Sequence, residues 1–393
     1  MKATPPHWKY AQLLACAITW FSKLHKQKKL ASEHNALWWH FAFKWRASFE
    51  SIVRAFIAGQ YRFGPMIQYQ MPGETVLMWD YPDRLVTSLL LTSIKSTFKQ
   101  IISATCMHLR GPNGVRESIA SIQTAINYQP YRYVMRLDIK GYYASIDRKI
   151  LFEQIKQHYD DARVIDTFKQ VIFHAIDNGG NVTVPEKGIP RRSSLSPFLG
   201  ALYLSPIDRA FENRQGIFYV RYMDDFIIMA QTKAQYVRAR KILFKLLRSL
   251  KLKLSPRKSR MGRLMDGFHF LGANFQVSRN IWQKNQAVTI TMHDRSCRRA
   301  LDKVQTMTQD AVNPATRQRY LMQWAAWWAL ALSQKESLYT YINHWIKFCL
   351  GQNTVPRDIT LLGLGLLIKQ KHSHNQAPSI ALTLLLLGCC RCN

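Results

Sequence analysis

Acidic side chains are scarce in this sequence: its 393 residues carry 24 Asp+Glu against 55 Lys+Arg, a formal charge of +31. Such an excess repels itself in a compact chain, which excludes an ordinary near-neutral surface and calls for an anionic partner, nucleic acid first and an acidic membrane surface second. Long apolar runs are also missing. The leucine-rich stretches at 359–368 and 380–387 fall well short of the about 20 residues that a spanning helix needs. Residues 10–21 resemble the core of an export signal but run into Lys23, Lys26, Lys28 and Lys29 with no small-residue cleavage site, so they read as a buried amphipathic helix. The expectation is a cytoplasmic protein with no membrane partner. Cysteine is sparse, and Cys16, Cys106, Cys297 and Cys349 stand singly, as small buried hydrophobes do in a reducing compartment. Cys389 and Cys392 have CxxC spacing, but no second such pair completes a zinc ribbon. No internal repeat and no low-complexity run is found. What the chain does have is 47 % hydrophobic and 12 % aromatic residues, which excludes disorder. At roughly 100–200 residues per domain, two or three packed units are expected.

The first sixty residues interleave aromatics with cations, as in Trp38-Trp39-His40-Phe41 and Phe43-Lys44-Trp45-Arg46. That pattern suits base stacking with phosphate contact, and equally a helix with its aromatics inside and its lysines outside. A helix over 50–60 stops near Gly59, and turn signals follow at 63–65 and 71–73. Apolar spacing predicts one long helix over 82–108, broken by Arg110-Gly111-Pro112-Asn113-Gly114, and another over 117–128. A strand is expected at 133–139, helices at 150–158 and 164–176, and a hairpin turn at Asn178-Gly179-Gly180-Asn181. Two apolar strands at 218–222 and 226–229 flank a tight acidic turn, a basic helix covers 233–250, and 295–348 reads as largely helical.

With so few carboxylates, their positions carry information. Asp138 and the adjacent Asp224-Asp225 stand at strand ends inside apolar stretches. Neighbouring aspartates there repel one another and are poorly solvated, a state that a cation relieves. Oxygen ligands of this kind select Mg²⁺ or Mn²⁺, and a third acid from a neighbouring strand completes a two-metal clamp on an in-line phosphoryl displacement.

These residues carry a resemblance. Tyr222-Met223-Asp224-Asp225 resembles the YxDD box of reverse transcriptases, and residues 137–147, beginning Leu137-Asp138-Ile139-Lys140, resemble the first palm motif of that family. Gly188-Ile189-Pro190, Ser194-Leu195-Ser196-Pro197 and the following helix are similar to the second palm motif, 255–258 to the lysine-bearing motif, and Phe268-His269-Phe270-Leu271-Gly272 to the primer grip. The resemblance spans five ordered motifs over about 61–275 and is bacterial in character, similar to group II intron-like, retron and defence-associated enzymes rather than retroviral ones. No RNase H, integrase or HNH motif is found, which favours a defence or domesticated role over intron mobility.

The resemblance implies an α+β right-hand polymerase. Residues 1–60 would be a basic, aromatic-rich extension, 61–280 the fingers and an antiparallel-sheet palm, 281–350 a helical thumb and 351–393 an apolar tail. It implies an RNA-directed DNA polymerase with Asp138, Asp224 and Asp225 as catalytic acids, metals held by Asp138, Asp224 and Asp225 with the main chain of Ile139, and Mg²⁺ or Mn²⁺ as cofactor. Ile139, Lys140, Tyr143, Arg191, Arg192 and Arg84 would meet the nucleotide, with Tyr143 the aromatic that excludes a 2′-hydroxyl. Lys258 would protonate pyrophosphate or serve as one more phosphate-binding cation. Arg295, Arg298, Arg299 and Lys303 would track phosphates, while Asp147 caps the helix beginning near Arg148. The expected partners are an RNA template, a DNA product, dNTPs, a dedicated noncoding RNA, and a second copy or second protein subunit. One departure stands out: the family has Gln-Gly after the proline of the second palm motif, and this chain has Arg191-Arg192. Two guanidiniums change the surface beside the incoming base, so a restricted or repetitive product is expected. A non-catalytic RNA-binding scaffold and an intron-type maturase are the alternatives.

Overall fold

The structure, a computed structural model, describes residues 8–28, 37–71, 74–279, 286–309, 312 and 314–329. The 351–393 tail, its three cysteines, Cys349 and Trp345 lie outside the described residues. The chain divides into two compact units, one of residues 1–118 with 131–262 and one of 119–130 with 263–393.

The first unit opens with helices α1 (Tyr10–Lys28) and α2 (Leu37–Ile57). Trp38 and Phe49 are fully enclosed, and the Phe21 ring stacks on Trp45 at 4.7 Å. Lys23, Lys26, Lys44 and Arg46 stay outside. Of the two readings of the aromatic–cation pattern, the packed helix pair accounts for these rings; Phe43 alone is left 90 % exposed. A hairpin follows, β1 (Met66–Met71) and β2 (Glu74–Met78), with Ile67 opposite Met78. The sequence marked its turn but not its strands.

The single helix expected over 82–108 is broken. It becomes α3 (Tyr81–Ile94), a 3₁₀ turn, α4 (Phe98–Ile101) and a further 3₁₀ turn at Met107–Leu109. Thr97 donates its hydroxyl to the Ile94 carbonyl and meets the Tyr159 hydroxyl at 2.9 Å, a local bond that competes with regular helix.

Next come α5 (Gly114–Tyr128), whose residues from 119 on belong to the second unit, and then, back in the first, strand β3 (Tyr133–Asp138), α6 (Tyr142–Ser145) and α7 (Arg148–His158). Asp147 caps α7, accepting from the backbone of Lys149 and Ile150. Helix α8 (Ala162–Ile172) stops four residues before its expected end, because Ile176 opens strand β4 (Ile176–Asn178), which pairs in parallel with β1 and turns back as β5 (Asn181–Thr183). Helices α9 (Ser196–Tyr203) and α10 (Ser205–Phe211) lead to the apolar hairpin β6 (Ile217–Tyr222) and β7 (Asp225–Ala230). Then follow α11 (Lys233–Ser249), opened by a Thr232–Gln235 capping box, and β8 (Arg260–Arg263).

The strand order β6-β7-β3-β8 puts β3 inside the sheet, and the order β2-β1-β4-β5 forms a second sheet. Residues 134–138 of β3 are all buried, as expected of a central strand covered on both faces.

In the second unit β9 (Phe268–Phe270), β10 (Ala273–Arg279) and β11 (Gln286–Met292) form an antiparallel sheet, followed by α12 (Asp294–Gln309) and α13 (Pro314–Ala329). Ala300 and Val304 bury one face of α12. Among the described residues no helix is long and apolar enough to cross a membrane.

Asp83, 5 % exposed, accepts from the Tyr61 hydroxyl at 2.7 Å. Burial, only partly offset by this bond and by the Gly64 amide, pushes its carboxyl from 3.8 up to about 6. A raised folded-state value means that Asp83 supports the fold fully below about pH 4, and that this support is lost as the pH rises through 6. The stability of Asp83→Asn relative to wild type is therefore expected to grow by about 2–3 kcal/mol between pH 4 and pH 8. Urea titrations at the two pH values measure that difference directly.

Candidate active site

The acidic turn between β6 and β7 has the shortest hairpin geometry available. Tyr222 pairs with Asp225, so Met223 and Asp224 alone form the loop, and tight two-residue turns require a positive φ at their first position. Met223 supplies it at φ 55°, a conformation costing about 1 kcal/mol or more for a residue with a side chain. Two neighbours hold it there. The Met223 amide donates to Nδ1 of His108 at 3.1 Å, and its carbonyl accepts from Arg221 at 3.0 Å. His108 passes its other ring nitrogen to the Pro197 carbonyl at 3.2 Å. Since Nδ1 accepts, Nε2 carries the proton and donates. Burial first, and the Arg221 charge second, lower the His108 pKa to about 4, which keeps the ring neutral and Nδ1 available.

Arg221 is anchored in turn. It is fully buried and forms a two-pronged ion pair with Asp208, Nε to Oδ1 at 2.8 Å. Tyr219 donates its hydroxyl to the same carboxylate at 2.6 Å.

This turn delivers its acids to β3. Asp138 lies directly opposite Asp225 in the antiparallel ladder. Burial raises the Asp224 pKa, with repulsion from Asp138 adding to it. Asp225 is pushed to about 6, first by burial and then by Asp138 and Asp224, against the pull of Arg136. Arg136 stands two residues before Asp138, hence on the same face of β3. It donates to Asp225 at 2.9 Å and to the Lys258 carbonyl. One guanidinium thus ties an acid of the turn to the lysine-bearing segment.

That segment is also sewn to Asp138. The Ser255 amide donates to the Asp138 carbonyl at 2.8 Å, the Asp138 amide donates to the Ser259 hydroxyl at 3.2 Å, and Lys258 Nζ stands 3.5 Å from the Asp138 carboxylate. Asp138 and Lys140 make the bonds on this side, so the Ile139 carbonyl points to the opposite, Asp225 side.

Tyr143 lies near Asp224; burial and that charge raise its pKa. Arg191 and Arg192 are exposed, line a cavity of about 340 Å³ beside Ala144 and Arg148, and the Arg191 charge acts on Asp224. Lys140 is exposed next to Gly141, whose φ of 57° turns the chain into α6. Arg84 lies 5.1 Å over the Tyr81 ring, within the first turn of α3. In the second unit, Arg295, Arg298, Arg299 and Lys303 share the exposed side of α12.

Sequence reasoning missed Arg136, His108, Arg221 and Asp208. A lone arginine in an apolar strand beside the acidic turn was a legible sign for Arg221, and two-residue spacing from Asp138 for Arg136. His108 left no such sign.

Among the described residues no three His, Cys, Asp or Glu side chains are gathered closely enough to enclose an ion by themselves. The donor set nevertheless fits Mg²⁺, which is bound through one or two carboxylates with substrate phosphates and waters completing its shell. Asp138 and Asp224 supply that type of ligand, and the elevated carboxyl pKa values mark negative charge in need of a cation.

Comparison with known proteins places the chain in a family. Residues 76–275 match the model of the family described as reverse transcriptase (RNA-dependent DNA polymerase). The chain is also similar to Protein YkfC of Escherichia coli (strain K12), 21 % identical over 251 residues, an alignment covering 54 % of this chain and 66 % of that protein, just under two thirds of its length. With half of its residues matched by that model, the chain belongs to the reverse transcriptase family.

Proposed function

We propose that this protein is an RNA-directed DNA polymerase that extends a primer 3′ end with dNTPs. The observation that carries the reading is the juxtaposition of Asp138, Asp224 and Asp225 on adjacent strand ends, where burial and mutual repulsion raise the pKa of the last two. A scaffold that only binds RNA has no need of so costly a cluster.

In this reading residues 61–280 supply the fingers and palm and 281–350 the thumb, with 1–60 as an N-terminal extension and 351–393 as a tail. Asp138 and Asp224, with the Ile139 carbonyl, would hold divalent metal. When bound, the metals lower the pKa of the primer hydroxyl and neutralise the triphosphate. Asp225, clamped by Arg136, keeps the turn in register with β3. Lys258 faces the site and donates a proton to the departing pyrophosphate. Tyr143 packs on the sugar, with the Lys140 main chain beside the triphosphate, while Arg191 and Arg192 bind phosphate oxygens. Arg84 would add a further contact to the nucleotide, and the α12 cations follow the duplex backbone. The paired arginines favour a restricted or repetitive product made on a dedicated noncoding RNA, in a cytoplasmic retroelement-derived or antiphage role.

The test is incorporation of labelled dNTPs by purified protein carrying its co-purified nucleic acid. Mg²⁺-dependent product that is sensitive to DNase and resistant to RNase is expected, and its sequence names the template. No incorporation on any RNA or primer, with or without Mn²⁺, would sink the reading.

A further inference from the structure

Helix α11 is amphipathic in an unusual way. Ala239, Leu243 and Leu247 bury one face, while the exposed residues include Lys233, Arg238, Arg240, Lys241, Lys245 and Arg248. The helix contains no Asp or Glu. Six cations thus run about 22 Å along it at 1.5 Å per residue, and among the described residues none is paired with a carboxylate. Phe244 projects from the same side, 44 % exposed.

Three shallow grooves join along this face. One, beside Phe244 and Met261, shares Lys241 with the next, which shares Arg238 with a third that reaches Arg214. No carboxylate lines any of them. A solvated face costs little when its charges are mixed; an unmixed row repels itself and is neutralised best by a regularly spaced polyanion.

The shelf also leads to the catalytic strand. Five residues beyond Arg248, the Lys253 carbonyl accepts from the amide of Lys140, two positions past Asp138.

We propose that the exposed face of α11 binds single-stranded RNA, the part of the RNA partner lying outside the duplex under extension, through phosphate contacts to Arg238, Lys241, Lys245 and Arg248 and base stacking on Phe244. The proposal rests on the polymerase reading only for the source of the RNA. Cations three to four residues apart on one helix face, beside an exposed ring, are the combination that single strands use. A lipid surface would need apolar residues flanking the cations in greater number than one phenylalanine.

The experiment uses the full chain and an unstructured 30-nucleotide RNA, with affinity read by fluorescence anisotropy across a salt series. In the quadruple variant Arg238→Gln, Lys241→Gln, Lys245→Gln, Arg248→Gln, affinity is expected to fall at least tenfold and the slope of log K against log salt to shrink by about 3, at 0.7 per lost phosphate. Phe244→Ala alone is expected to weaken binding at least fivefold without changing that slope. If the quadruple variant does not fold, Lys241→Gln with Phe244→Ala tests the same surface. Unchanged affinity and slope overturn the proposal, as does a loss of binding to phosphatidylserine vesicles with RNA binding intact. dNTP incorporation is measured alongside. A protein that shows the slope change but never incorporates keeps the shelf and loses the polymerase assignment; one that incorporates with an unchanged slope does the reverse.

Discussion

Asp138→Asn is expected to lower dNTP incorporation by about 10³-fold or more while leaving the protein folded and at least as stable as wild type. The catalytic loss follows from removing a carboxylate of the proposed metal pair, an effect of several kcal/mol on the transition state. The gain in stability comes from the same residue. Asp224 and Asp225 are raised by burial and then by the Asp138 charge, so neutralising Asp138 relieves a repulsion that the fold otherwise tolerates. Lys258, the cation beside Asp138, is largely exposed, and an exposed partner compensates weakly. Thermal unfolding and incorporation, measured on one preparation, separate the two effects. A variant that stays active contradicts the assignment of Asp138, and one that melts well below wild type contradicts the electrostatic account of the site.

Arg221→Met is expected to be the most destabilising substitution around the site, by about 3–5 kcal/mol, because it leaves the Asp208 carboxylate buried and uncompensated. In a unit of this size that corresponds to a melting temperature lower by roughly 10 °C. It also frees the Met223 carbonyl, so the residual folded protein should incorporate dNTPs poorly. The double variant Arg221→Met with Asp208→Leu removes the stranded charge and should recover part of the stability, since a buried ion pair is worth far less than the penalty for breaking it. It should not recover activity, because the carbonyl of the strained turn is still unheld. Denaturant titration of the two single variants and the double completes the cycle. A double variant less stable than both singles would show that the pair contributes more than mutual charge neutralisation.

The residues proposed to do chemistry stood out in the sequence because each violates a local expectation. Acids in apolar strands, a hairpin with an acidic loop and a chain with few other carboxylates leave little choice for Asp138, Asp224 and Asp225. Secondary structure was readable where one period dominates, as in α11 and the β6–β7 hairpin. It failed where tertiary contacts decide. The Thr97 hydroxyl bonds within the 3₁₀ turn that interrupts a helix which apolar spacing alone would run through, and Ile176 leaves its helical pattern for a strand because β1 is there to pair with it. The supporting residues were the least readable. His108 is 115 residues from the amide that it accepts from, and no spacing rule reaches that far. Arg191 and Arg192 were visible as a departure, and the cavity beside them gives that departure a place.

The position of β3 has a consequence for how the molecule moves. One edge of the strand is bonded to β7 along its whole length, and at the other Asp138 is tied through its carbonyl to Ser255 and through its amide to Ser259. Shifting Asp138 against Asp225 therefore means breaking hydrogen bonds on both edges of a buried strand, an opening that lies close to complete unfolding rather than to local breathing. The acids share the lifetime of the folded unit itself, and any mobility that the proposed synthesis needs must come from the parts that surround them.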